Sequence, residues 1–333
     1  MCKQLDLWLS AELCLNSQVT VPADSQRQDE LVMLRMYRKL TTVIMCAGFL
    51  ASPVASPAAE LKQEAVRTWD AYVETANLQM RDRMHRTFLW VDESSDRIQR
   101  VRDGEILVSS VGQRNPKPVP SGLIHDWIGA AFIPNARLED VLSAARSYDQ
   151  YKNFYQPAVV DSKSLGRAGD CDKYSMRVVN KEVVAETALD GEYEACYVQV
   201  DAKRWYSIGY STRVREVQVY GRPDERDLPP GQGSGYIWRL YTITRFEQTD
   251  DGVYVELEAM ALSRDIPVAV RWLVTPIVRN ISKSSLLASL HQMEEAVRST
   301  TVAVKTKQST IARNGNDAMI PRGRSRKPSP SKP

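Results

Sequence analysis

The side chains able to do chemistry are few and scattered. The three histidines, His85, His125 and His291, lie far apart, and none shows the one-turn spacing that brings two imidazoles onto a metal. Each reads as an ordinary surface or core residue. No Gly-x-Ser-x-Gly elbow marks a nucleophilic serine. Gly231-Gln-Gly-Ser-Gly235 resembles a phosphate loop only in its glycines. No lysine follows the last one, and a strand comes next, so no helix N-terminus is there to hold an anion. The sequence thus offers no catalytic set, no metal site and no cofactor motif. The aromatic run Arg204-Trp-Tyr-Ser-Ile-Gly-Tyr210 is more informative. Read as a strand, it puts Tyr206, Ile208 and Tyr210 on one face. Either tyrosine could offer a hydroxyl to a ligand inside an apolar cavity. Core packing with the hydroxyl at the rim is the plainer reading. Arg239 and Arg264 could meet a polar ligand head, or form solvated ion pairs with Glu256 or Glu258.

Two strands and a helix must position these groups. Tyr236 to Phe246 and Val253 to Ala261 alternate as strands, and Thr249-Asp-Asp-Gly252 between them is hairpin turn chemistry. Pairing Phe246 with Val255 joins Trp238, Leu240, Thr242, Leu257 and Ala259 into one apolar face. The same register sets Arg245 against Glu256 on the other, wetter face. The run from Asp265 to Val297 carries an apolar stripe through Val270, Leu273, Ile277, Ile281, Ala288 and Leu290. Thr275-Pro276 reads as a cap followed by a first-turn proline, which predicts a kink or restart there. The expected binding surface is therefore Trp238, Leu240, Thr242, Leu257 and Ala259 beneath Leu273, Ile277 and Ile281, with Tyr206 and Tyr210 nearby. Small residues such as Thr242 and Ala259 leave room for a hollow. A closed core, with threonine present for strand propensity, is the alternative.

At 333 residues, with 43% hydrophobic and 26% charged, the composition is that of a soluble globular protein. The net charge of +3 misleads, because eight lysines and arginines after Thr301 face one acid, Asp317. The rest of the chain is acidic, which argues against a nucleic-acid-binding fold. Near the start, basic Met36-Tyr-Arg-Lys39, apolar Leu40 to Ala51 and small Ser52 to Ala59 follow in the order of a secretory signal peptide. The expected organisation is an over-extended start or leader over 1–35, a signal peptide over 36–59, and an extension over 60–122. A main domain over 123–299 and a basic disordered tail over 300–333 follow. The product would be periplasmic or secreted; an uncleaved membrane anchor is the alternative. In the extension, Leu61, Ala65, Trp69, Tyr72, Val73, Ala76 and Met80 form a helical stripe. Phe88 to Val91 and Glu105 to Val111 suggest a hairpin, and Asn115 to Gly122 a proline-rich linker. After cleavage only Cys171 and Cys196 remain. A turn at Asn180-Lys181 would set Cys171 opposite about Asp190, so a bridge needs a shifted register.

In the main domain a strand from His125, a helix from Asn135, and Tyr148-Asp-Gln-Tyr-Lys-Asn-Phe-Tyr-Gln-Pro157 precede Val159-Val-Asp-Ser162. This opening resembles the START-like, or SRPBCC, superfamily, which includes polyketide cyclase-like and coenzyme-Q-binding proteins. Asp149, Tyr151, Phe154 and Pro157 match its aspartate-tyrosine-phenylalanine-proline stretch, and the closing helix fits as well. The resemblance implies an α+β helix-grip fold, a curved antiparallel sheet wrapped around a long C-terminal helix. The helix-plus-hairpin extension precedes it. It also implies a cavity for a lipid, quinone, sterol or polyketide-like molecule, and it transfers no catalytic residue. Two readings stand: an exported carrier of a hydrophobic small molecule, and a cyclase- or hydrolase-type enzyme using the same cavity. An envelope interaction domain without ligand is a third. The basic tail could also touch an anionic membrane surface.

Overall fold

The computed structural model describes residues 59–182 and 185–317. The expected leader, nearly all of the signal peptide and the end of the tail lie outside the described residues. In chain order the strands are β1 (Ala59–Glu60), β2 (Leu107–Ser110), β3 (Lys117–Val119), β4 (Gly122–Pro134), β5 (Val159–Ala168) and β6 (Cys171–Glu182). They continue as β7 (Ala185–Gln199), β8 (Arg204–Gln218), β9 (Arg226–Asp227), β10 (Gln232–Gly233), β11 (Arg239–Gln248) and β12 (Gly252–Arg264). The helices are α1 (Gln63–Met84), α2 (Ser95–Arg102), α3 (Leu138–Ala145), α4 (Tyr151–Phe154) and α5 (Val268–Asp317). The large antiparallel sheet has the order β2-β4-β12-β11-β8-β7-β6-β5. Helices cover both of its faces: α1 and α2 one, α3, α4 and α5 the other. Strand β4 lies between these layers, and every residue in it but the last is buried.

The expected hairpin register is the observed one, with Phe246 opposite Val255 and Arg245 opposite Glu256. The wetter face, however, is not wet. The predicted stripe of α1 buries Ala65, Trp69, Ala76 and Met80 against it. Arg245 is 1% exposed and Glu256 0%. Arg245 Nη1 donates to Glu256 Oε1 and Nη2 to Glu258 Oε2, each at 2.9 Å. Glu256 Oε2 also accepts from the backbone N–H of Trp90, at 2.6 Å, and Val91, at 3.3 Å. This explains the missing first strand of the extension. The backbone at Trp90-Val91 binds a carboxylate instead of a strand, then turns through a 3-10 segment into α2. The proline-rich stretch is no free linker, since β3 pairs with β4 and the Asn115 side chain bonds the backbone of Asp126.

Two other expectations change. Strand β6 runs on to Glu182, which pairs with Ala185, so Asn180 and Lys181 are strand residues and not a turn. That shift sets Cys171 opposite Cys196, and the two form a disulfide. Helix α5 passes through Pro276 without a restart and continues beyond Val297 to Asp317. Proline there removes one N–H, the donor for the Trp272 carbonyl, and its ring crowds that carbonyl. No helix among the described residues is long and apolar enough to cross a membrane.

Asp126 is the third buried carboxylate under α1. Its Oδ2 accepts from Tyr72 Oη at 2.7 Å, and its Oδ1 has no partner. Burial and the nearby Glu258 push its pKa up to about 7, against the Tyr72 hydrogen bond and the Arg245 charge. Burial also lifts Glu256 to about 7, opposed by Arg245 and the two backbone N–H groups. In the unfolded chain an aspartate ionises near pH 4 (about 3.9). Between about pH 4 and 7 the folded chain therefore binds more protons, and stability falls as pH rises through that window. For Asp126 the fall is at most about 4 kcal/mol. Asp126→Asn keeps an acceptor for Tyr72 and abolishes the titration. Its melting temperature should exceed wild type near pH 8, and the gap should shrink near pH 5. Thermal unfolding across that range checks this; a wild-type stability that climbs with pH contradicts it.

Candidate functional site

The α5 face of the sheet has a floor of small side chains. One row across the strands reads Ala195, Gly209, Thr242, Ala259, Trp127. The next reads Tyr197, Ser207, Thr244, Leu257, Gly129. Two hydroxyls of this face turn back into the sheet. Thr242 Oγ1 donates to Gly209 O at 3.4 Å, and Ser211 Oγ donates to Leu240 O at 3.4 Å while accepting from Leu240 N at 3.0 Å. The surface offered upward at Thr242 is thus a methyl group.

Helix α5 does not seal this floor. Its middle portion seats Leu286, Leu290 and Val297 against Trp127, Ala131, Ile133, Phe246, Val253 and Val255. Gly129 permits that approach, since a Cβ there would lie 2.7 Å from Leu290 Cδ1. Toward its N-terminus the helix leaves space. Leu240, Thr242, Thr244, Leu257, Ala259 and Ala261 stay half-buried in the middle of the sheet, between fully buried neighbours. On the helix, Val274, Val278 and Ile281 are half-buried in turn.

Of the expected binding residues, Leu240, Thr242, Leu257 and Ala259 share this strip. Ile281 is half-buried, but Leu273 is 53% exposed and Ile277 42%. The reason is helical phase. Leu273 and Ile277 precede Leu286 and Leu290 by thirteen residues, which is about 220° around the helix, nearly opposite the packed stripe. Tyr206, Tyr210 and Trp238 belong to the other face, in the cluster beneath α1. Tyr210 Oη donates to Glu194, and its ring stacks with Tyr241. Trp238 precedes the first residue of β11 and escapes the alternation that would have grouped it with Leu240. The buried ion pairs with Glu256 and Glu258 go to Arg245, not to Arg239 or Arg264.

A phenolic end was not singled out from sequence as a site, although the stretch from Tyr148 supplies half of it. The Tyr148 and Tyr174 rings stack at 4.3 Å, and Tyr174 and Tyr193 at 5.2 Å. Tyr151 meets Tyr148 edge-on at 5.3 Å, and Tyr155 meets Tyr151 at 5.0 Å. Tyr197 Oη donates to Ala145 O at 3.1 Å, as does Tyr151 Oη, and Tyr155 Oη lies 4.0 Å from Met293 Sδ of α5. Burial raises the pKa of all six phenols, that of Tyr197 to about 12, so they remain neutral donors. Arg146 donates twice to Asp172, at 2.9 and 3.1 Å, and Tyr148 Oη donates to the same carboxylate at 3.2 Å.

At the opposite margin His125 and Trp127 face the same side. His125 Nε2 lies 2.9 Å from Ser263 Oγ, and burial depresses its pKa to about 4, so it stays neutral. His125 Nδ1 and Trp127 Nε1 are buried without partners. Among the described residues no group of three or more His, Cys, Asp or Glu is placed to hold a metal ion. Arg146 and Asp172 neutralise each other, with Tyr148 and Arg167 on the same carboxylate. What the face offers is apolar contact and neutral hydrogen-bonding groups.

No protein-family model matches the chain. No curated protein matches it either. Among solved structures it is similar to the STAR-related lipid transfer protein from Xanthomonas axonopodis, at 16% identity, 57% of this chain, 98% of that one and a TM-score of 0.37. Human STARD10 is similar at 10% identity, 66% and 84% coverage and a TM-score of 0.38. Zhui aromatase/cyclase from Streptomyces sp. R1128 is similar at 8%, 53% and 94%, with a TM-score of 0.34. The strand order, the α3–α4 insertion after β4 and the closing α5 give this chain an α+β fold, a large antiparallel sheet against a long C-terminal helix, the architecture of a helix-grip.

Proposed function

We propose that the chain binds and carries a hydrophobic small molecule, a lipid, quinone or polyketide-like compound, in the space between β11–β12 and α5. One observation carries this reading. The half-buried strip at Thr242, Thr244, Leu257 and Ala259 lies in mid-sheet, where a closed core would bury it. Apolar surface left open inside a fold is a place for an apolar ligand. Export belongs to the same proposal. A Cys171–Cys196 disulfide suits an oxidising compartment, and the signal-like run before Glu60 would deliver the chain there. The cations after Thr301 would favour contact with anionic headgroups.

Replacing Ala259 by Trp tests the space. Above a hollow the indole fits at little cost to the melting temperature and weakens binding of a fluorescent fatty alcohol or quinone analogue by at least about tenfold. In a closed core it overpacks and destabilises by about 1–3 kcal/mol. A large fall in melting temperature, with a wild-type chain that binds no such probe, contradicts the proposal. N-terminal sequencing of the exported protein tests export. The expected first residue lies near Glu60, and a mature chain still carrying Leu40 to Ala51 contradicts cleavage.

A further inference from the structure

The two ends of the site differ in chemistry. The strip at Thr242 and Ala259 is mainly apolar, and the Thr242 hydroxyl bonds the Gly209 carbonyl. Continuing across the sheet through Leu257, Trp205 and Tyr197, the lining becomes phenolic. The Tyr174 ring is held from both sides by Tyr148 and Tyr193. Tyr174 is half-buried, and its Oη has no hydrogen-bond partner among the described residues. A donor fixed by stacking and left without an acceptor is a position for a ligand oxygen.

The charges at this end decide what kind of oxygen. Arg146 lies over Tyr197, 4.9 Å from the ring centroid, but its charge is matched by Asp172, which Nε and Nη2 engage as a bidentate pair. Turning it toward an anionic ligand would strand the Asp172 carboxylate, whose side chain is only 11% exposed. Arg167, 3.8 Å from the same carboxylate and 54% exposed, belongs to the solvent rim. An ionised head would therefore enter the site without a counter-charge, at the cost of desolvation.

We infer that the bound molecule is a neutral amphiphile, its hydrocarbon body over Thr242 and Ala259 and an uncharged hydroxyl or carbonyl oxygen accepting from Tyr174 Oη. Free fatty acids and phosphate-headed lipids are disfavoured. The inference rests on the carrier reading and narrows it.

The test compares three pyrene-labelled chains of equal length, ending in a hydroxyl, a carboxylate or a methyl group, by fluorescence titration of the full protein near pH 8. The alcohol should bind at least about tenfold more tightly than the carboxylate. Tyr174→Phe should weaken the alcohol by about three- to tenfold and leave the methyl-ended chain unchanged, with the melting temperature preserved. Asp172→Asn releases Arg146 and should raise carboxylate affinity relative to the alcohol. A carboxylate that binds wild type as tightly as the alcohol overturns the neutral-head inference and leaves the carrier reading intact. So does a Tyr174→Phe protein that binds the alcohol normally. If none of the three chains binds, the carrier reading itself fails.

Discussion

Arg245 holds two glutamates in a layer that water does not reach, and the rest of the molecule is built to keep it there. A buried charge is costly unless paired, and removing one partner of such a pair typically costs about 3–5 kcal/mol. Glu256 is satisfied only if Arg245 comes from β11 and the Trp90–Val91 backbone comes from the extension. The extension is thus positioned by electrostatics as well as by the apolar side of α1. It cannot slide along the sheet without stranding a carboxylate. The β11–β12 register is equally constrained, because a slip of one residue would turn Arg245 to the opposite face.

That constraint reaches the α5 side through the backbone. With Arg245 fixed against Glu256, alternation leaves Thr244 beside Leu257 and Thr242 beside Ala259 on the α5 face. These are the positions that stay half-buried. The helix is anchored elsewhere, by Leu290 at Gly129 and by Val297. Its first turns accordingly leave the small-residue strip uncovered. One strand, β12, serves as a charged, closed surface on one side and an apolar, open one on the other.

How much of this was legible in the sequence follows from which pattern each feature depends on. The β11–β12 register was readable because charge and hydrophobicity pointed to the same pairing at Arg245–Glu256 and Phe246–Val255. Which face met water was not readable, since an arginine facing a glutamate looks alike in a buried layer and on a surface. The α1 stripe was the available clue, because a helix with Trp69, Ala76 and Met80 aligned needs a sheet face to cover. Tyr206 and Tyr210 were grouped correctly but assigned to the wrong helix, as alternation separates faces without saying what covers each. The phase of α5 failed for a related reason. Leu273 and Ile277 belong to a real apolar stripe, yet Leu286 and Leu290 take the packed side. The disulfide depended on strand pairing that continues past Asn180 to Glu182 and Ala185, which no strong sequence signal marked. The phenolic end combines α4 with β6 and β7, and local spacing carries no trace of that meeting.

The central claim is that the space over Thr242 and Ala259 holds a small molecule. Native mass spectrometry of protein purified gently from its producing cells tests it most directly. The account predicts a species heavier than the polypeptide by one apolar molecule, released by organic extraction and identifiable as an uncharged amphiphile. A polypeptide that emerges with no added mass, and takes up no molecule when incubated with extracted lipids, would contradict it.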